Sequence, residues 1–248
     1  AINAGTSTGD AVTTTETVNA DLTANGNEIV ASTINFSNIN DADLSGGALT
    51  GTNDNDETFE IDTTDNAVNV NAIDFTSVAA INAGTSTGDA IITTEAVDAD
   101  LTVNGNGLVA STINFSNIND ADLSGGALTG TNDSDETFSI STTANAVNVN
   151  AIDFTSVAAI NAGTSTGDAV TTTELVNADL TANGNELVAS TINFSNINDA
   201  DLSGGALTGT NDNDETFEID TTDNAVNVNA IDFTSVASIN AGTSTGDA

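Results

Sequence analysis

Apolar and polar residues alternate along much of the chain. Phe59-Glu60-Ile61-Asp62 does so, and so does Val18-Asn19-Ala20-Asp21-Leu22. In Ala67–Asn71 the side chains of Val68 and Val70 fall on one face. A period of two sets one face of a strand against a core and the other in water. Between such runs lie Gly5–Asp10 (GTSTGD), Asn25–Asn27 (NGN) and Ser45–Gly47 (SGG), which are turn compositions. Lys, Arg, Gln and Met are absent while Thr, Asn, Asp and Gly abound, a mixture that disfavours helix. Short strands separated by such turns predict an all-β chain, wound as a parallel β-solenoid whose hand the pattern does not specify.

The pattern itself repeats. AINAGTSTGDA begins at Ala1, Ala80 and Ala159, and SINAGTSTGDA begins at Ser238. The period of 79 divides the chain into repeats at 1–79, 80–158 and 159–237, with 238–248 opening a fourth. These are expected to form one continuous solenoid, because stacked repeats bury a core that no single repeat can bury alone. A weaker repeat lies inside the 79. Asn27–Phe36 (NEIVASTINF) aligns with Asn66–Phe75 (NAVNVNAIDF), so each repeat has two related halves of about 40 residues, enough for two coils of about 20.

Differences between the copies agree with a pleat. Glu60 becomes Ser139 and then Glu218, and Asp62 becomes Ser141 and then Asp220. Phe59 and Ile61 remain Phe and Ile in every copy, and Ile29 changes only to Leu108 and Leu187. Freedom on one parity and hydrophobicity on the other are what an inside and an outside predict. The many Asn residues recur in register. They suit either ladders between stacked coils or turns with left-handed dihedrals.

Composition then narrows the chemistry. The 248 residues carry 37 acidic groups and no Lys, Arg, His, Cys, Met, Pro, Trp or Tyr. Imidazole and thiolate are therefore missing, both as metal ligands and as nucleophile–base pairs. No cation is present to clamp a phosphate, and a formal charge of −37 opposes nucleic acid and anionic membranes. Divalent cations, or other copies of the chain end to end or side by side, are the expected partners. Nucleic acid and membrane insertion are not expected. At this charge, high salt would help by shortening the screening length to about 3 Å at 1 M. Low aromatic content and high charge could signal disorder, but 38% hydrophobic residues in alternating order argue for a fold. The missing Met and the lack of an atypical capping repeat suggest an interior slice of a longer array, or a unit that stacks end to end.

The candidate for chemistry is Gly51–Ile61 (GTNDNDETFEI), which returns at Gly130–Ile140 and Gly209–Ile219. It resembles a degenerate nonapeptide that binds Ca²⁺ between β-helix coils. The acids fixed in all copies are Asp54, Asp56 and Glu57, with Asp133, Asp135 and Glu136, and Asp212, Asp214 and Glu215. These nine residues are the candidate Ca²⁺ ligands, since calcium takes carboxylate and carbonyl oxygens. Departures from the nonapeptide glycines and from the EF-hand spacing leave a solvated acidic turn as the competing reading. A glycosidase would need two carboxylates of unequal pKa. Every candidate acid is copied with the repeat, and Glu60 is lost at Ser139, so the chain reads as a non-enzyme.

Ala48–Ile61 and Asn66–Ala90 resemble repeats of very large exported bacterial proteins, the filamentous-haemagglutinin-like and related giant adhesins, including cyanobacterial ones. Leu49, Gly51, Thr58, Phe59, Val70, Asn71, Ile73, Phe75, Val78, Ile81, Asn82 and Gly84 carry the likeness, which covers about half of each repeat. The chain departs from it at Ala72, where glycine is usual. The resemblance implies an extracellular or cell-surface location, a β-helical rod, and a role as fibre, as adhesin stalk or in a surface layer. Freedom from tryptic sites fits such a location.

Overall fold

The fold is described from a computed structural model at residues 1–63, 67–103, 105–142, 146–182, 185–222 and 225–248. It comprises two compact units, Ala1–Ser124 and Gly125–Ala248, whose boundary falls inside the second 79-residue repeat. Every regular element among the described residues is a strand, and each unit is a β-solenoid.

The first unit contains β1 (Ile2–Asn3), β2 (Ala11–Thr13), β3 (Ala20–Leu22), β4 (Glu28–Ala31), β5 (Ile34–Ser37), β6 (Asp41–Thr50) and β7 (Thr58–Asp62). There follow β8 (Ala67–Val70), β9 (Ile73–Asn82), β10 (Ala90–Thr93), β11 (Ala99–Leu101), β12 (Gly107–Ala110), β13 (Ile113–Ser116) and β14 (Asp120–Asp122). They stack into two walls. One runs β1, β5, β4, β3, the end of β6, the end of β9, then β13, β12 and β11. The other runs β2, the start of β6, the start of β9, then β8, β7, β10 and β14.

The solenoid is not wound from 20-residue coils. Ile2 pairs in parallel with Phe36, Val12 with Ala42, Leu49 with Ile81, and Phe59 with Ile91. Parallel neighbours are thus about 30–34 residues apart, in the range a crossover connection needs. The surplus is used within a wall. β3, β4 and β5 form an antiparallel meander in the first wall, and β7, β8 and β9 form one in the second. The two halves of the repeat are therefore the same device placed in alternate walls. Ile29 faces Phe36 and Ala31 faces Ile34, while 39 residues on Val68 faces Phe75 and Val70 faces Ile73. Asn66, the first residue of that alignment, lies outside the described residues.

Turn chemistry fixes this reversal. Asn71 and Ala72 take φ of 52° and 60°, the two left-handed positions of a type I′ hairpin. Ala72 thus occupies the site where the resemblance has glycine, and its Cβ makes that conformation costly. Asn150–Ala151 and Asn229–Ala230 repeat the arrangement. The corner between the walls is made inside β6, where register shifts between Asp43 and Ala48. Gly47 is required there, since a Cβ would lie 1.9 Å from the Val18 carbonyl oxygen.

The inward parity fills the core except towards the chain ends, where Ile2 is 49% exposed and, in the third copy of the Phe59–Ile61 pair, Phe217 is half-buried and Ile219 is 67% exposed. Phe59, Phe75 and Ile29 are fully buried, as are Phe138, Phe154 and Leu187 in the second unit. Each such side chain contributes about 2 kcal/mol by leaving water. Phe59 of the second wall meets Phe115 of the first edge to face, with centroids 6.4 Å apart. In the second unit Phe138 and Phe194 repeat the contact at 6.4 Å. That unit, β15 (Ala127–Thr129) through β29 (Ser238–Asn240), follows the same plan. Leu128 pairs with Ile160 and Phe138 with Val170, and Ala178–Leu180, Glu186–Ala189 and Ile192–Ser195 form a meander.

Both readings of the asparagines hold at once. Asn117 Nδ2 donates to Asn82 Oδ1 at 2.7 Å, and Asn196 to Asn161 at 2.7 Å, each a rung of a ladder. The donors Asn117 and Asn196 also have φ of 60°.

Candidate functional site

The turn from Gly51 to Glu57 links the end of β6 to β7. Its chain reverses around the Glu57 side chain. Thr52 donates to that carboxylate twice, from Oγ1 to Oε1 at 2.6 Å and from its backbone N–H to Oε2 at 3.1 Å. Gly51 permits the approach, because a Cβ there would meet the Ala83 carbonyl at 2.2 Å and Glu57 Oε2 at 2.9 Å. Glu57 is 2% exposed, in a chain where most acids face water. Burial raises its pKa above the ordinary glutamate value; the Thr52 hydrogen bonds oppose that rise, and the charge of Asp89 adds to it.

Asp89 belongs to the turn one rung on, Gly84–Asp89, and is fully buried. The Glu57 backbone N–H donates to Asp89 Oδ1 at 2.8 Å, and Ser86 Oγ donates to Oδ2 at 2.8 Å. The Asp89 N–H donates in turn to Asn119 Oδ1 at 3.2 Å. Three successive turns are thereby tied together by Thr52, Glu57, Asp89 and Asn119. The second unit has the same chain of contacts. Thr131 Oγ1 donates to Glu136 at 2.6 Å, the Glu136 N–H to Asp168 at 2.8 Å, and the Asp168 N–H to Asn198 at 3.2 Å. Glu136 is likewise held above the ordinary value, chiefly by burial. Thr210, Glu215 and Asp247 form the third instance.

The nine candidate calcium ligands separate into two groups. Glu57, Glu136 and Glu215 point inward, each 2% exposed and engaged by a threonine. Asp54, Asp133 and Asp212 are exposed at the turn tips, and Asp56, Asp135 and Asp214 are exposed beside Gly88, Gly167 and Gly246. Asp214 accepts from the Gly246 N–H at 3.0 Å. Among the described residues no three acidic side chains gather closely enough to hold a metal ion.

Sequence reasoning missed Asp89 and Asp168 as partners of the glutamates. A signal was present: this aspartate stands unchanged in all four copies of GTSTGD, at Asp10, Asp89, Asp168 and Asp247.

Other acids line open grooves on outer sheet faces. In the first unit one of about 460 Å³ is bordered by Asp41, Glu60, Asp62, Asp74 and Glu95. In the second, one of about 540 Å³ is bordered by Asp199, Glu218, Asp220 and Asp232. Asp199 and Asp232 are neighbours in register, and burial together with the Asp232 charge raises the pKa of Asp199. Asn227 Nδ2 donates to Asp232 Oδ1 at 2.6 Å. Thr63 Oγ1 similarly donates to Glu95 at 3.2 Å.

No family model, no curated protein and no solved structure matches the chain. Among the described residues no helix is long and apolar enough to cross a membrane.

Proposed function

We propose that this chain is a structural segment: a stiff, acidic, protease-resistant β-solenoid from an extracellular fibre or cell-surface filament, assembling with further copies of itself. The observation that carries this reading is the use made of the buried acids. Glu57 and Asp89, and their counterparts Glu136 and Asp168, spend their oxygens on turn amides and hydroxyls of the solenoid. Groups committed in this way brace a rod and are not free for turnover. The outward acids supply a dense negative surface. A stalk that presents the binding tip of a giant adhesin is the alternative favoured by the sequence resemblance. Negative-stain electron microscopy of the purified chain, over a range of protein and salt concentrations, tests the proposal. Filaments many times the length of one chain are expected. Particles of single-chain size under every condition would overturn the fibre reading in favour of the stalk.

A further inference from the structure

The dipeptide Asn-Gly occurs at 25–26 and 106–107 among the described residues, in two different settings; the pairs at 104–105 and 183–184 fall partly or wholly outside them. Asn25 and Gly26 are both exposed, in the loop between β3 and β4 and outside any strand. A Cβ at Gly26 would meet only the Asn71 carbonyl oxygen, at 3.9 Å, so space around this backbone is open. Asn25 Nδ2 donates to Glu28 Oε2 at 3.1 Å, and Thr23 Oγ1 donates to the same oxygen at 3.2 Å. Gly107, by contrast, is buried and is the first residue of β12, paired with Ser116. Its N–H donates to the Gly105 carbonyl.

We propose that Asn25 is a site of spontaneous deamidation and isoaspartate formation, and that Asn106 is protected from the same chemistry by the fold. The reaction needs the backbone nitrogen of the following residue to reach the asparagine Cγ. Glycine hinders that approach least, having no Cβ. At Asn25 the Gly26 nitrogen, losing its proton to solvent base, bonds to Cγ. The Cγ–Nδ2 bond breaks and nitrogen leaves as ammonia. Water then opens the imide: attack at one carbonyl gives aspartate, and attack at the other gives isoaspartate, which lengthens the main chain by one carbon. No oxidant or enzyme is required. At Asn106 the attacking nitrogen belongs to Gly107, which is buried and fixed by its pairing with Ser116 and by the Thr102 N–H that donates to its carbonyl, so reaction must wait for local opening.

The product alters its surroundings. The bond from Asn25 Nδ2 to Glu28 is lost, and a new carboxylate stands beside that of Glu28. With no lysine or arginine anywhere in the chain, no internal cation can neutralise it. Age would therefore be recorded as added negative charge at the β3–β4 loop.

The test is incubation of the folded chain in mildly alkaline buffer. Thermolysin peptides are then mapped by mass spectrometry for the NH₂-to-OH exchange, and isoaspartate is assayed with an isoaspartyl methyltransferase. Asn25 should convert faster than Asn106 by about tenfold or more, the ratio being set by the free energy of opening the β12 end. In denaturant the two rates should converge. A Gly26→Ala variant should slow conversion at residue 25 and leave Asn106 unaffected. Equal rates at the two sites in the folded chain, or an Asn25 no faster than asparagines followed by bulky residues, would overturn the proposal.

Discussion

Glu57 and Glu60 lie three residues apart in one motif and have opposite roles. Glu57 is 2% exposed, fixed as glutamate in all three copies, and accepts two hydrogen bonds from Thr52. Glu60 projects from the outer face of β7 and gives way to Ser139 in the second copy. In a chain with 37 acids and no basic side chain, neither carboxylate can owe its place to a lysine or arginine partner. What separates them is the source of the hydrogen bonds. The inner carboxylate is solvated by the protein's own turn, and the outer one faces the solvent-open groove. An acidic solenoid can therefore bury carboxylates without cations, provided each oxygen meets a donor.

The largest test of this contrast is removal of the inner acid. Glu57→Ala removes the carboxylate that accepts from the half-buried Thr52 N–H and hydroxyl, leaving the hydroxyl only its longer bond to the Asn55 carbonyl. It is expected to cost about 1–3 kcal/mol of local stability. Hydrogen exchange at Thr52, Glu57 and Ala90 would measure this; unchanged protection would mean that the carboxylate does not hold the turn.

Acid titration should give the next largest effect. The folded pKa values of Glu57, Glu136 and Asp199 are raised, so the folded chain binds protons more readily than the unfolded chain does. Their contribution is fully present below the ordinary values, 4.5 for the glutamates and 3.8 for Asp199, and is lost as pH rises through the raised folded values. Asp247, whose pKa is lowered by its hydrogen bonds to Ser244 and Glu215, opposes them. Stability to urea should thus increase on mild acidification. A Glu57→Gln/Glu136→Gln double variant should flatten that slope, and a slope unchanged by the substitutions would refute the assignment.

Chelation comes third. Glu57 already accepts a hydrogen bond from Thr52 at each oxygen, and Asp54 and Asp56 are exposed, so EDTA is expected to leave the melting temperature essentially unchanged. A shift of many degrees reversed by Ca²⁺ but not by Na⁺ would establish a calcium site at this turn.

The smallest effect belongs to the outer acid. Glu60→Ser copies what the second repeat already contains and should change stability by less than about 0.5 kcal/mol. A larger loss would show that the groove acids are structural after all.

Much of this contrast could be read before the fold was known. Alternation placed Phe59 and Ile61 inside, and the exchange of Glu60 for Ser139 marked the outer face. The alignment of Asn27–Phe36 with Asn66–Phe75 found two related halves, each of which carries one of the meanders. Their direction was hidden, because a period of two is the same for a parallel as for an antiparallel strand. Ala67–Val70 therefore read as one more strand of a parallel solenoid, although Asn71–Ala72 reverses the chain. The coil length was misjudged for the same reason. Asp89 escaped notice because its contact with Glu57 spans 32 residues and arises from stacking, which no local pattern records.

The alternation of the meander between the two walls also constrains heredity. Within the first unit one full repeat advances each wall by five strands, from β1 to the end of β9 and from β2 to β10, and re-enters at the same strand type: Ile2 pairs with Phe36 as Ile81 pairs with Phe115. Unequal crossing-over that gains or loses 79 residues would leave every side chain with its former neighbours. Gain or loss of one half would put a meander in the wrong wall and leave hairpin strands facing corners. Allelic length variants of such a gene should therefore differ in steps of 79 codons and not of 40, and a stable half-step allele would contradict the two-wall plan.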